Sequence, residues 1–166
     1  ERALSDALAI APLHPTNLYN MACVKSLRGQ TSAALDYLER AALAGFTDFL
    51  HIQKDPDLAP LHNLPRYKRF LLRKDEFQAR AARIVVEWLK RELGEGCIFE
   101  VDAANKLIFA TNTDRQTLDA LKKSLLAQAR SQWDQVFSHR PDQYISVVLP
   151  SDADYRKIVS RPGVGG

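Results

Sequence analysis

The stretch Pro15–Phe46, PTNLYNMACVKSLRGQTSAALDYLERAALAGF, decides the fold of the first half of the chain. Leu18, Met21, Ala22 and Lys25 recur at i, i+3, i+4 and i+7, the spacing of one helical face. Gly29 follows, and a residue without Cβ can enter the left-handed conformation that ends a helix. A second helix then places Ala34, Leu38 and Ala41 on its inner face, with Leu35 and Ala42 alongside. Two antiparallel helices approach closely only where their facing side chains are short. Ala34 and Ala41 supply the short side chains, and Leu38 fills the gap between them.

Working outward, the unit repeats at 34 residues. Leu4 meets Leu38, Ala7 meets Ala41 and Pro12 meets Phe46, so two of the three keep their type. A small residue late in the first helix (Ala22), Gly29 at the turn, then Ala34, Leu38 and Ala41 down the second make the unit similar to a tetratricopeptide repeat. Lys25 stands where that family has an aromatic residue, and Phe46 where it has a closing proline. Pro12 closes the preceding half-repeat in the family's place. The resemblance implies that the chain begins inside the second helix of an earlier repeat and that more protein lies upstream, since such arrays need about three units for stability. It also implies a concave face lined by the first helix, at Thr16, Tyr19, Asn20, Cys23 and Ser26. Tyr19 and Asn20 would grip an extended peptide by stacking and main-chain hydrogen bonds, or else pack against a neighbouring repeat.

Beyond Phe46 the period breaks. Pro56, Pro60 and Pro65 fall within ten residues, and each bars regular helix through its own position. The expected elements are a short helix near 48–53, a turn at Asp55-Pro56-Asp57, a short helical piece and a new start after Pro65. This resembles the Asp-Pro-Asp-Leu … Pro-Arg-Tyr ending that follows the last full unit in bacterial repeat proteins, where it caps the array. Asp55 and Asp57 lack the further spaced oxygen ligands of a calcium loop.

The second half changes period. Asp75 to Leu93 reads as a helix, with Ala82, Val86, Leu89 and Leu93 on one side, stopped by Gly94 and Gly96. Strict alternation follows, with Phe99 and Val101 on one face and Ile98 and Glu100 on the other. The turn DAANK and Leu107 to Ala110 complete a β-hairpin, with Asn105 suited to a left-handed position. Thr113 and Gln116 read as a capping box opening a helix from Asp114 to about Phe137. Its apolar stripe is Leu118, Leu121, Leu125, Ala129, Trp133 and Val136. YISVVLP is expected to be a short buried strand ended by Pro150, and Ser151 and Asp154 signal a last helix, DADYRKIV. The fold class is therefore α+β: helical hairpins, then a small β-β-α-β-α layer. The boundaries read as 1–72 for the repeats and their cap, 73–96 for a connecting helix and 97–166 for the mixed domain.

The hairpin ending IFATNT, the long helix, the VVLP strand, the DADYRKIV helix and Gly-Val-Gly-Gly occur in the order found at the front of bacterial gluzincin-type zinc metallopeptidases. The chain's second half resembles that opening segment. In that family a helix bearing HExxH follows, two histidines one turn apart binding zinc and the glutamate serving as general base. None of His14, His51, His62 and His139 is followed by Glu, and no two stand three or four apart. A distant grouping of His51, His62 and a carboxylate stays open, with surface or capping histidines the preferred reading. SRPGVGG, Ser160–Gly166, lacks the Lys-Ser/Thr of a phosphate loop. It reads as a loop leading toward the rest of a catalytic domain. No G-x-S-x-G elbow occurs, and Cys97 shows no base. The expectation is no catalytic residue, no metal and no cofactor in this chain, with zinc reserved for a full-length parent.

Composition agrees with a globular chain: 46% hydrophobic and 26% charged residues, and no apolar run long enough to span a membrane. The start carries no signal-peptide pattern, and the compartment stays unassigned. Two cysteines exclude a disulfide scaffold. Net charge is only +3, yet nine Lys or Arg stand against three acids between Arg66 and Arg91. Without interleaved aromatics this reads as a solvated helix face, and nucleic acid is not an expected partner. The expected function is non-catalytic: the repeat region of a peptidase-like protein, binding a protein or peptide partner. The alternative is a stand-alone adaptor with an unrelated small α+β domain, and an HExxH helix downstream in the parent gene separates the two.

Overall fold

A computed structural model describes residues 2–135 and 142–150. The architecture is mixed helix and sheet, and the chain divides into two compact units, Glu1–Ile84 and Val85–Gly166. The division falls within one continuous helix.

In the first unit α1 (Arg2–Ile10) precedes α2 (Pro15–Leu27) and α3 (Thr31–Leu43). His14 caps α2 and Pro15 takes its first position, where the missing N–H costs nothing. Gly29, at φ 70°, donates to Ser26 O, and Gln30 N–H reaches Lys25 O at 2.9 Å. These two bonds form a Schellman motif and turn the chain straight into α3. The motif recurs at the end of α3, where Gly45 N–H bonds Ala42 O and Phe46 N–H bonds Ala41 O. Leu18 and Ala22 from α2 share one core with Ala34, Leu38 and Ala41 from α3, and all five are fully buried. Burying a side chain the size of Leu38 contributes roughly 1.5–3 kcal/mol.

The segment after Phe46 extends that core. It comprises α4 (Phe49–Lys54), a 3₁₀ helix (Pro56–Leu61), α5 (Pro65–Leu72) and the start of α6 (Lys74–Leu93). Phe49, Phe70 and Phe77 meet as a triangle with ring centroids 5.3–6.1 Å apart. Pro60 lies inside the 3₁₀ helix, contrary to the expectation that each proline bars helix through its own position. So short a 3₁₀ turn forfeits only the bond that Pro60 cannot donate. Asp55 is less a free turn residue than the cap of this helix, accepting from Asp57 N–H at 2.9 Å.

In the second unit β1 (Ile98–Asp102) pairs antiparallel with β2 (Leu107–Thr111) in the register Val101↔Ile108. β2 pairs parallel with β3 (Ile145–Leu149), so the strand order is β1-β2-β3, and β3, at the edge, is not the buried strand its apolar run suggests, since Ile145 and Ser146 are exposed. The crossover is α7 (Arg115–Gln135), long enough to return the chain for parallel pairing. β2 is buried throughout, and Leu107 and Phe109 pack with Leu118 of α7. Ile98 joins that cluster, and Glu100 is paired with Arg115 and Lys122 of α7, so both occupy the α7 side of β1 as their alternation predicts.

Two turn assignments differ from the sequence reading. The residue at positive φ in the hairpin is Lys106, not Asn105. Asn105 instead donates its N–H and side-chain amide to the Asp102 carboxylate. Nor does the box of Thr113 and Gln116 cap α7. Asp114 does, accepting from Thr117 N–H at 2.9 Å and from its hydroxyl at 2.7 Å. Thr113 is committed to Thr111, whose own hydroxyl donates to Leu149 O on β3. Val136, Phe137, His139, the DADYRKIV helix and SRPGVGG lie outside the described residues.

Candidate functional site

The five positions read as a concave face part company in the structure. Thr16 and Asn20 are exposed, whereas Tyr19, Cys23 and Ser26 are 4%, 7% and 1% exposed. The 3₁₀ helix packs on α2 and accounts for Tyr19 and Cys23: α2 is buried against α3 and also against residues 46–61. The Tyr19 ring stacks on Phe46, centroids 4.1 Å apart and planes 10° apart. Its hydroxyl donates to Asp55 Oδ2, and the Cys23 thiol donates to the same oxygen at 3.7 Å. His51 Nε2 stands 3.6 Å from that oxygen, one turn earlier on α4.

The electrostatics follow from this geometry. Burial pushes the Asp55 carboxyl up, but the Tyr19 hydroxyl, the Asp57 N–H, His51 and Cys23 together outweigh it and hold the group below its ordinary value. Burial, then the Asp55 charge, pushes the Cys23 thiol up to about 12, so it is neutral and unreactive near pH 7. Burial, reinforced by the Asp55 hydrogen bond, also raises Tyr19. Tyr67, whose hydroxyl donates to Ile52 O, is pushed to about 12 by burial and the Asp55 charge.

Cys23, Asp55 and Asp57 bring ligand-type atoms within 4.8 Å of one another. The sequence placed Asp57 beside Asp55 but could not show Cys23 joining them. Both Asp55 oxygens are already hydrogen-bond acceptors, one holding the 3₁₀ helix and the other holding α2. The group is therefore a structural knot between two segments. Among the described histidines, His14 caps α2 through Nδ1, His51 faces Asp55, and His62 stacks on Tyr67 with centroids 5.2 Å apart. His51 and His62 thus serve different neighbours.

A second feature lies between α3 and α5, where the sequence showed only a basic run. Arg66 pairs with Asp36 at 2.7 Å and with Glu39 at 3.4 Å. Arg73 pairs with Glu39 and with Glu76. Arg80 donates to Leu43 O, and Lys90 pairs with Glu87. Lys68, Arg69, Arg80, Arg83, Lys90 and Arg91 are exposed, as a solvated face requires, while Arg66 and Arg73 are half-buried against acids of α3. Two adjoining clefts of about 280 and 350 Å³ share Leu35, Arg66 and Arg69 as lining.

No family model matches the chain, and no curated protein or solved structure matches it either. No described helix is long and apolar enough to cross a membrane.

Proposed function

We propose that residues up to Ile84 form a tetratricopeptide-like module that binds a protein or peptide, joined to the front of a peptidase-like α+β domain. The observation that carries this reading is the seam of Ala22, Ala34, Leu38 and Ala41, closed at both helix ends by glycine-based Schellman turns. Close helix pairing through small residues with short turns builds a rigid surface, and rigid helical surfaces suit recognition better than chemistry. The order hairpin, helix, strand in the second unit fits the opening of the peptidase-like fold that the sequence resembles. In that family the groups that conduct catalysis belong to an HExxH helix, and no HExxH occurs in residues 1–166.

The described histidines and cysteines support a binding role over a catalytic one. Cys23 is held protonated, and His51 and His62 are engaged with Asp55 and Tyr67. The experiment is capture of unstructured peptides on an array by the whole chain. The reading expects saturable capture of a restricted set of sequences. Uniform background across the array would remove it.

A further inference from the structure

Four metal-ligating side chains from three separate segments meet at the Asp55 knot. Cys23 comes from α2, His51 from α4, and Asp55 and Asp57 from the start of the 3₁₀ helix. Donor atoms of Cys23, Asp55 and Asp57 all lie within 4.8 Å of one another. Asp55 Oδ2 stands 3.7 Å from Cys23 Sγ and 3.6 Å from His51 Nε2. Metal–ligand bonds of about 2.0–2.3 Å set tetrahedral ligands roughly 3.3–3.8 Å apart, so both separations match edges of such a site.

The cluster is incomplete in charge and in hydrogen bonding. Asp55 and Asp57 are half-buried beside a buried thiol, and among the described residues neither pairs with a Lys or Arg. The Asp57 side chain accepts no hydrogen bond among those residues, since its bond to Asp55 Oδ1 uses the backbone N–H. Ser26 is an independent sign. It is 1% exposed, and its Oγ has no hydrogen-bond partner. Three residues beyond Cys23 on α2, it has the spacing that sets side chains next to each other on one helix face. A buried hydroxyl without a partner is destabilising, and it calls for an acceptor that the neutral Cys23 thiol does not provide.

We propose that Cys23, His51, Asp55 and Asp57 bind one divalent ion of the zinc class. The Cys23 thiol gives up its proton to solvent as the sulfur–metal bond forms. The ion takes the place of that proton on Asp55 Oδ2, while Oδ1 keeps the Asp57 N–H, so the knot is tightened rather than undone. The thiolate is the acceptor that Ser26 lacks, and Tyr19 continues to orient Asp55 from outside the ligand set. Sulfur and imidazole donors select an ion such as Zn²⁺ over Ca²⁺ or Mg²⁺, which take oxygen ligands. The expectation of a metal-free chain rests on histidine spacing, whereas here one histidine joins a thiol and two carboxylates that only the fold brings together. The site is independent of peptide binding: it fastens α2 to the segment that covers it.

The test is titration of the whole chain with Co²⁺, followed by displacement with Zn²⁺. Cobalt bound to a thiolate shows a near-ultraviolet charge-transfer band, and a tetrahedral site gives intense visible bands. Three variants accompany it. Cys97→Ser removes the other thiol, Cys23→Ser removes the proposed ligand, and Asp57→Asn removes a carboxylate that holds nothing else. The expectation is one saturable equivalent per chain, with the charge-transfer band kept in Cys97→Ser and lost in Cys23→Ser. Asp57→Asn should unfold like the parent chain without metal and bind Co²⁺ at least about tenfold more weakly. That variant keeps the test decisive if Cys23→Ser fails to fold. Zn²⁺ should raise the thermal unfolding midpoint of the parent chain more than that of Asp57→Asn. A missing charge-transfer band, a band that survives Cys23→Ser or disappears in Cys97→Ser, or unchanged affinity in Asp57→Asn would each overturn the site. Visible bands without charge transfer would mark an adventitious histidine complex and overturn it equally.

Discussion

The two units of this chain are stabilised by opposite means. The helical unit is held by small residues and by polar bonds made at long sequence range. Alanines let α2 and α3 approach, and one carboxylate, Asp55, ties α2 to the start of a 3₁₀ helix across 36 residues from Tyr19. The α+β unit is held by one apolar strand. β2 lies between β1 and β3, is buried along its whole length, and takes α7 against Leu107 and Phe109. Its charged contacts, Glu100 with Arg115 and Lys122, lie at the rim. The contrast shows where each unit is vulnerable: the first in its close fit and its half-buried carboxylate, the second in the volume of a few central side chains.

Truncations at the two centres give the largest expected effects. Phe109→Ala should cost about 3–5 kcal/mol and Leu38→Ala about 2–5 kcal/mol, each by lost transfer energy plus the cavity left behind. Denaturant unfolding of the variants reads both. The comparison sharpens if far-UV helicity is lost first in Leu38→Ala and strand signal first in Phe109→Ala. It breaks if Leu38→Ala is nearly silent, because a loosely packed pair of helices would tolerate the hole.

Asp55→Ala comes next. It strands the buried Tyr19 hydroxyl, at about 1–3 kcal/mol, and removes the cap of the 3₁₀ helix, at about 1 kcal/mol more. The pH dependence has a definite sign. The Asp55 carboxyl is held below its ordinary 3.8 in the folded chain, so its contribution is fully present above that value and is lost as pH falls through the folded value. The stability gap between the parent chain and Asp55→Ala should therefore be widest near neutrality and narrow below about pH 4. A gap that widens on acidification would show that the carboxylate is not the stabilising form.

Local features of the fold were legible in the sequence, and distant meetings were not. The spacing of Leu18, Ala22, Ala34, Leu38 and Ala41 gives both helices and their facing sides, because helical period and turn glycines are written within a few residues. The hairpin and the long helix α7 are legible for the same reason. Their detailed caps are not: Asp114 and Thr113 are both good capping residues, and only the bond between Thr113 and Thr111 decides between them. What stays hidden depends on how three prolines steer residues 55–65. Their path brings Asp55 to Tyr19 and Cys23, sets Phe49 against Phe70 and Phe77, and places Arg66 beside Glu39. No periodicity encodes those contacts. The candidate face of α2 illustrates the cost, since helical spacing groups Tyr19 and Cys23 with Thr16 and Asn20 but cannot show that a later segment lies over the first two.

That covering is the central claim for the helical unit, and thiol accessibility tests it directly. In a Cys97→Ser variant the only thiol is Cys23, buried beside Asp55 and held neutral at about 12. Labelling with a maleimide or disulfide reagent near pH 8, followed by mass spectrometry, should leave the native protein unmodified and modify it fully once denatured. Rapid stoichiometric labelling of the native variant would mean that residues 46–61 do not lie over α2, and would contradict the account.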